Sequence, residues 1–107
     1  MHIIAAADSF KGTLSSLEAG TIIKEAALSA YPGSSVEVLP MADGGEGTVG
    51  AMLHCTAGER VFLSVRGPLG SPVNASYGRL SQNRAIMEMA EASGLLLVPE
   101  EMRNPLL

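Results

Sequence analysis

The sequence has 107 residues, a net charge of −4, 47% hydrophobic residues and 17% charged ones, against roughly 25% charged in an ordinary soluble domain. Seven basic residues scattered along an acidic chain exclude a nucleic-acid footprint, which needs clustered Lys and Arg. A single nucleotide is not excluded, because backbone N–H groups, one Lys and a metal ion suffice to hold it.

A domain this small has a high surface-to-volume ratio and should need more polar surface than it has. The shortage points to apolar faces covered by further protein, and the alternative is a self-sufficient domain rich in small residues. Cys55 is the one cysteine, so no internal disulfide forms and nothing indicates an oxidising compartment. It stands beside His54 with His2 remote in sequence, so a buried structural thiol is expected rather than a zinc ligand. The apolar start, Met1 to Ala7, lacks the basic flank of a signal peptide and ends at Asp8. No run reaches the roughly 18–20 apolar residues of a membrane span. A cytoplasmic protein without membrane or nucleic-acid partners is expected.

Ile3 to Ala7 is an unbroken apolar run, the pattern of a strand buried on both faces of a parallel sheet. The chain turns polar at Asp8-Ser9-Phe10-Lys11-Gly12-Thr13 and then enters a helix. Ser15 and Glu18 have the spacing of a capping box, in which each side chain satisfies a free N–H at the helix start. Ala19, Ile22, Ile23, Ala26, Ala27 and Ala30 recur at helical spacing and predict one apolar stripe. Pro32-Gly33 ends the helix. Val36 and Val38, closed by Pro40, mark a second strand. It is followed by the loop Met41-Ala42-Asp43-Gly44-Gly45-Glu46-Gly47 and a second helix from about Thr48 to near Gly58. The order β-α-β-α predicts parallel strands.

From Arg60 the period changes. Val61, Leu63 and Val65 alternate with Phe62, Ser64 and Arg66, as in a half-exposed strand. A turn-rich connector, Gly67 to Pro72, leads to a strand around Val73, Ala75 and Tyr77. A further strand from about Ala85 to Met89 carries Glu88 within an apolar run. The expected fold class is α/β, with residues 1–66 as a partial first segment and 67–107 as the start of a second. Two parallel strands and a small meander leave edges and faces unpaired, so the sequence reads as the N-terminal portion of a longer chain.

In a parallel β-α-β unit the loops leaving the strands emerge at one edge, where ligands of open α/β sheets bind. Here those loops are Asp8 to Gly12 and Asp43 to Gly47. They bring together two Asp residues, one Lys and several glycines, with helix starts behind them that favour an anion. Phosphoryl transfer uses such parts: Lys11 to neutralise phosphate oxygens, Asp8, Asp43 and Glu46 to hold Mg²⁺ or orient a hydroxyl, and Gly44, Gly45 and Gly47 to admit phosphates, with Thr48 as a hydroxyl at the helix start. Each residue alone has an ordinary reading as cap, turn or surface charge. Neither loop matches a Walker A or a dinucleotide-binding pattern. The residues alone therefore point to an α/β segment with an anion-binding or phosphate-transfer edge.

Asp8-Ser9-Phe10-Lys11-Gly12-Thr13-Leu14 resembles the D-S-F-K-G-[ST]-L signature of the first type of bacterial glycerate kinase. Pro40 to Thr48 is similar to that family's P-[ML]-A-D-G-G-E-G-T. Gly67 to Gly70, Ile86 to Leu95 and Arg103-Asn104-Pro105 follow in the family's order and spacing, so the resemblance spans nearly the whole chain. Ala7 departs from it, standing where the family usually has Pro.

The resemblance implies ATP-dependent phosphorylation of D-glycerate with Mg²⁺, in a full-length protein more than three times this long. It also implies a Rossmann-like first domain, to which the β-α-β-α start belongs, and an inserted second α/β domain entered through the antiparallel strands, with the active site in the cleft between them. By that implication Asp8, Lys11 and Asp43 are catalytic, and Asp43 and Glu46 bind the metal. Ser9, Gly12, Thr13, Gly44, Gly45, Gly47, Thr48, Glu88, Ser93, Arg103 and Asn104 would contact substrate or nucleotide phosphate. Glu88 reads equally as a site carboxylate or as the partner of a basic residue elsewhere, and Arg103 as a clamp on the glycerate carboxylate or as a helix cap. A related sugar-acid kinase, or a non-catalytic anion-binding or assembly fragment, are the alternatives, and a homodimer is an open option.

Overall fold

The architecture comes from a computed structural model, which describes residues 1–104; the motif residue Pro105 and the closing leucines lie outside the described residues. Strand β1 (His2–Ala5) pairs in parallel with β2 (Ser35–Val38), in the register His2↔Ser35 through Ala5↔Val38. Helix α1 (Ser16–Ala30) makes the connection. Its start is the expected capping box: the Glu18 N–H donates to Ser15 Oγ at 3.2 Å, and the Ser15 N–H donates to Glu18 Oε2 at 2.8 Å. The Ser15 hydroxyl, followed by the Ser15 backbone N–H, holds the Glu18 carboxyl below its ordinary range.

Helix α2 (Thr48–His54) follows the second loop, and β3 (Glu59–Arg66), β4 (Pro72–Ser81) and β5 (Arg84–Ile86) form an antiparallel sheet in that order. Glu59 and Arg79 are cross-strand partners and form an ion pair. The chain closes with the short helix α3 (Ala90–Ser93) and two 3₁₀ turns, Leu95–Leu97 and Glu100–Met102. The fold is therefore a mixed α/β arrangement of one parallel and one antiparallel sheet. The antiparallel sheet begins with β3, so the β3–β4 pairing crosses the sequence boundary at residues 66 and 67.

The packing is thin. The radius of gyration is 16.7 Å and the principal extents are 53 × 39 × 18 Å, whereas a compact domain of about 107 residues has a radius near 13 Å. The buried apolar core consists of Ala5, Ala19, Val49 and Ala75 among the described residues. α1 approaches the small parallel sheet through Gly20, where the Val38 side chain fills the space a Cβ would take. Leu53 of α2 seats against Gly58 and Gly78 in the same way, on the β4 face that also carries Ser76.

Four expectations are corrected. The Ile3–Ala7 run is not a strand buried on both faces: β1 ends at Ala5, which is buried, but Ile4 is exposed, because α1 covers one face of the two-stranded sheet and leaves the other open. The predicted stripe on α1 is largely uncovered: Ala19 is buried, but Ile22 and Ile23 are exposed, because a two-stranded sheet covers only the strip around Ala19 and Gly20. Cys55 is exposed, since α2 stops at His54 and Cys55 caps its end, past the packed face. Glu88 lies outside a strand: β5 ends at Ile86, and the chain then turns so that the Glu88 carboxylate reaches the start of α2. Exposed Phe62 and Leu63 show that β3 is poorly covered on both faces. No helix of the described residues is long and apolar enough to cross a membrane.

Candidate functional site

Parallel pairing continues past the ends of β1 and β2 and fixes where the two loops begin. The Leu39 N–H donates to the Ala5 carbonyl at 2.9 Å, and the Met41 N–H to the Ala7 carbonyl at 3.0 Å. Asp8 and Asp43 follow directly, so both Asp-led loops leave the same sheet edge side by side.

The first loop closes on itself. The Phe10 N–H donates to the Leu14 carbonyl at 2.8 Å, and the Thr13 and Leu14 N–H groups donate to the Phe10 carbonyl at 2.9 and 3.1 Å. The Thr13 hydroxyl also donates to that carbonyl, at 2.9 Å, so its proton is committed inside the turn. Asp8 Oδ1 accepts from the Ser9 N–H at 2.7 Å. Lys11 stands exposed at the tip and makes no ion pair among the described residues.

The second loop is held from outside. Asp43 Oδ1 accepts from the Gly45 N–H at 2.9 Å, which folds the acidic end. Gly44 and Gly47 have φ of +98° and +89°, and Gly47 caps α2 without a side chain to offer its free N–H groups. Glu88 supplies what is missing: Oε1 accepts from the Gly47 N–H at 2.9 Å, and Oε2 from the Val49 N–H at 2.7 Å. Glu88 is only 9% exposed, so this is a buried carboxylate compensated by two amides and the α2 start. The Thr48 hydroxyl is buried with no hydrogen-bond partner among the described residues.

These parts surround two adjoining cavities. The larger, about 480 Å³, lies between the first loop and α2 and is lined by Ser9 to Ser16, Glu46, Gly47, Arg60, Glu88 and Glu91, among others. The smaller, about 280 Å³, brings Asp8, Ser9, Lys11 and Gly12 against Asp43, Gly45 and Glu46, with Leu95 and Leu96 as an apolar side. The structure thus assembles the predicted Asp8, Ser9, Lys11, Gly12, Asp43, Gly45 and Glu46 around one space.

It does not bring Gly44, Thr48, Ser93, Arg103 or Asn104 there, since they line neither cavity. The Ser93 hydroxyl donates to the Met89 carbonyl at 3.2 Å, and Arg103 Nε to the Val98 carbonyl at 2.8 Å. Arg103 closes the local turn after Val98. Sequence reasoning missed Arg60 and Glu91. Glu91 Oε2 accepts from the N–H and hydroxyl of buried Ser76, both at 2.8 Å, and Arg60 Nη1 donates to Ser76 Oγ at 2.8 Å while pairing with Glu91 at 3.3 Å. Nothing near Arg60 announced its place.

For a divalent cation, Asp43 and Glu46 offer exposed hard oxygen donors beside the smaller cavity. No group of three or more His, Cys, Asp or Glu side chains among the described residues forms a cage. This donor set fits Mg²⁺, which binds through one or two carboxylates and completes its shell with water and phosphate oxygens.

The glycerate kinase family model matches residues 3–107. A glycerate kinase of Bacillus subtilis (strain 168) is 50% identical over 108 aligned positions, covering 100% of this chain and 28% of the relative. A glycerate 2-kinase of Escherichia coli (strain K12) is 46% identical, covering 99% of this chain and 28% of the relative. A Salmonella typhimurium LT2 crystal structure bearing the name glycerate kinase 2 superposes with a TM-score of 0.73 at 50% identity, over 99% of this chain and 29% of that one. The chain thus spans 28% of the length of these two curated relatives. With the two motif loops meeting at one sheet edge and the family match running from residue 3 to residue 107, this chain belongs to the glycerate kinase family.

Proposed function

We propose that this chain supplies one wall of the phosphoryl-transfer cleft of an ATP-dependent glycerate kinase. One observation carries the reading: the two Asp-led loops leave adjacent parallel strands and enclose the smaller cavity together with Lys11. Phosphoryl transfer depends on positioning and on neutralising charge more than on covalent chemistry by the protein. Lys11 is placed to neutralise phosphate oxygens and is tied up in no ion pair among the described residues. Asp8 and Asp43 each have one oxygen tied to a backbone N–H, which fixes the carboxylate and leaves the other oxygen to accept the hydroxyl proton or face a cation.

In the reaction, a glycerate hydroxyl oxygen bonds to the γ-phosphorus of ATP. The bond to the β-bridging oxygen breaks, ADP leaves, and the hydroxyl proton passes to a carboxylate of the loops. Mg²⁺, when bound, neutralises phosphate charge, and Asp43 and Glu46 are the residues that would hold it. Ser9 and Gly12 of the first loop line the cavity where phosphate would lie. In this reading the β-α-β-α start belongs to a Rossmann-like first domain, and the antiparallel sheet leads toward an inserted second domain.

The test is a chimera in which residues 3–107 replace the matching segment of the Bacillus subtilis relative. The parent chimera should form ADP only when both D-glycerate and ATP are present. Lys11→Ala and Asp43→Asn should each lower kcat by about 10²–10³-fold, the scale of losing one preorganised electrostatic contact. A doubly substituted chimera with full activity would remove these residues from the mechanism. A non-catalytic anion-binding role predicts instead that the parent chimera is inactive while the chain still binds Mg·ATP.

A further inference from the structure

We infer that Glu88 is a positioning residue that occupies the start of α2 as a built-in anion, so that the second loop presents carboxylates and does not cradle phosphate. The inference rests on the kinase reading above and assigns a division of labour within it. Both Glu88 oxygens are committed, to the Gly47 and Val49 N–H groups at 2.9 and 2.7 Å, and the residue is buried. A phosphate at those amides would have to displace a buried carboxylate and would meet its charge at close range.

In the first loop the Ser9, Phe10, Thr13 and Leu14 amides are spent on the turn, which leaves those of Lys11 and Gly12 for phosphate. The clamp also sets the second loop's attitude: Gly47 is its last residue, and fixing Gly47 fixes the approach of Glu46 and the Asp43 turn to the smaller cavity. Three residues on, Glu91 grips the antiparallel sheet through Ser76 and Arg60. The segment from Glu88 to Glu91 therefore ties the acidic loop to β4. Glu88 needs no contact with substrate to matter for the chemistry.

The test uses Glu88→Gln, nearly isosteric but with a donor facing an N–H, and Glu88→Asp, which keeps the charge and loses reach. In amide-resolved NMR of the 107-residue chain, both variants should keep the β3–β4 signals while the Gly47 and Val49 amide protons move upfield and exchange faster. In the chimera, kcat should fall about 10-fold or more in both variants, the equivalent of one charge-assisted hydrogen bond, with KM for ATP changed less than about 3-fold. A proportional rise in KM for ATP would make Glu88 a ligand of the nucleotide and overturn the inference. So would unshifted Gly47 and Val49 amides, or β3–β4 signals lost in both variants, which would assign Glu88 to global stability. An active parent chimera with unaffected Glu88 variants refutes the positioning role and leaves the kinase reading standing. An inactive parent chimera refutes the kinase reading, and Glu88's part in the chemistry falls with it.

Discussion

Gly20 gives the sharpest test of how the first loop is held in place. It lies in α1 where the helix crosses β2, and a Cβ added there would overlap Val38 Cγ1, standing 3.7 Å from Val38 Cβ and 3.8 Å from the Ala5 carbonyl oxygen. Helix propensity alone favours Gly20→Ala by up to about 1 kcal/mol. The overlap works against it. Carbon atoms pack best near 3.5–4.0 Å, so α1 would have to lift from β2 by on the order of 1 Å. Val38 cannot easily rotate away, since a β-branched side chain is stiff at χ1. Overpacking of this kind costs about 1–3 kcal/mol, so after the propensity gain the net expectation is destabilisation by up to about 2 kcal/mol.

Chemical denaturation followed by circular dichroism at 222 nm measures the effect. Val38→Ala in the same chain removes the obstructing methyl groups, so the double mutant should recover at least half of the loss, a coupling of about 1 kcal/mol between residues in contact. Lifting α1 also moves its N-terminus, which carries Lys11 and the first loop, so ligand-induced shifts at Gly12 should weaken in Gly20→Ala. A Gly20→Ala chain as stable as the parent or more so, with no coupling to Val38, would show that α1 does not rest on β2 as described.

The remaining expectations are narrower. Glu18 has a lowered carboxyl pKa, so its contribution is present above its unfolded value and is lost as pH falls through the folded one. Amide protection factors at the start of α1, taken against the intrinsic exchange rate at each pH, should therefore fall on acidification, and Glu18→Gln should flatten that dependence; an unchanged profile would show that the capping box adds nothing. Gly47→Ala meets no atom within 4 Å of the new Cβ, but it must hold φ near +89°. It should cost about 1–2 kcal/mol from the backbone alone and weaken protection of the Gly47 amide, seen by exchange NMR. Val49→Ala, at the one large side chain fully buried among the described residues, should lower stability by about 1.5–3 kcal/mol in a denaturant titration. A loss under about 0.5 kcal/mol would mean α2 is not packed there.

Local features were legible in the sequence because their causes lie within a few residues. The Ser15–Glu18 capping box needs only a helix start and a spacing of three. The Ile3–Ala7 run and the Val36–Val38 pair, joined by a helical segment, were enough to call for parallel strands, and parallel strands put the Asp8 and Asp43 loops at one edge. The motif residues followed from those loops, and the family from the order of the blocks. Where periodicity was taken to mean burial, it misled. Ile22 and Ile23 fall at helical spacing, but a stripe is buried only if something stands opposite, and the two strands beneath α1 cover little more than Ala19 and Gly20.

Tertiary structure alone decided what closes the site. Glu88 meets Gly47 and Val49 across 41 and 39 residues, and Arg60 meets Glu91 across 31. No local pattern encodes such contacts, because they depend on where β5 ends and how the chain turns after it. The sequence therefore determined the chemistry this chain can offer: two acidic, glycine-bearing loops with one lysine at a sheet edge. The fold decided which groups remain free to use it. It committed Glu88 to the backbone and Glu91 to Ser76, and it left Lys11, Asp8, Asp43 and Glu46 facing a common space, because a buried carboxylate must find donors whereas an exposed one need not.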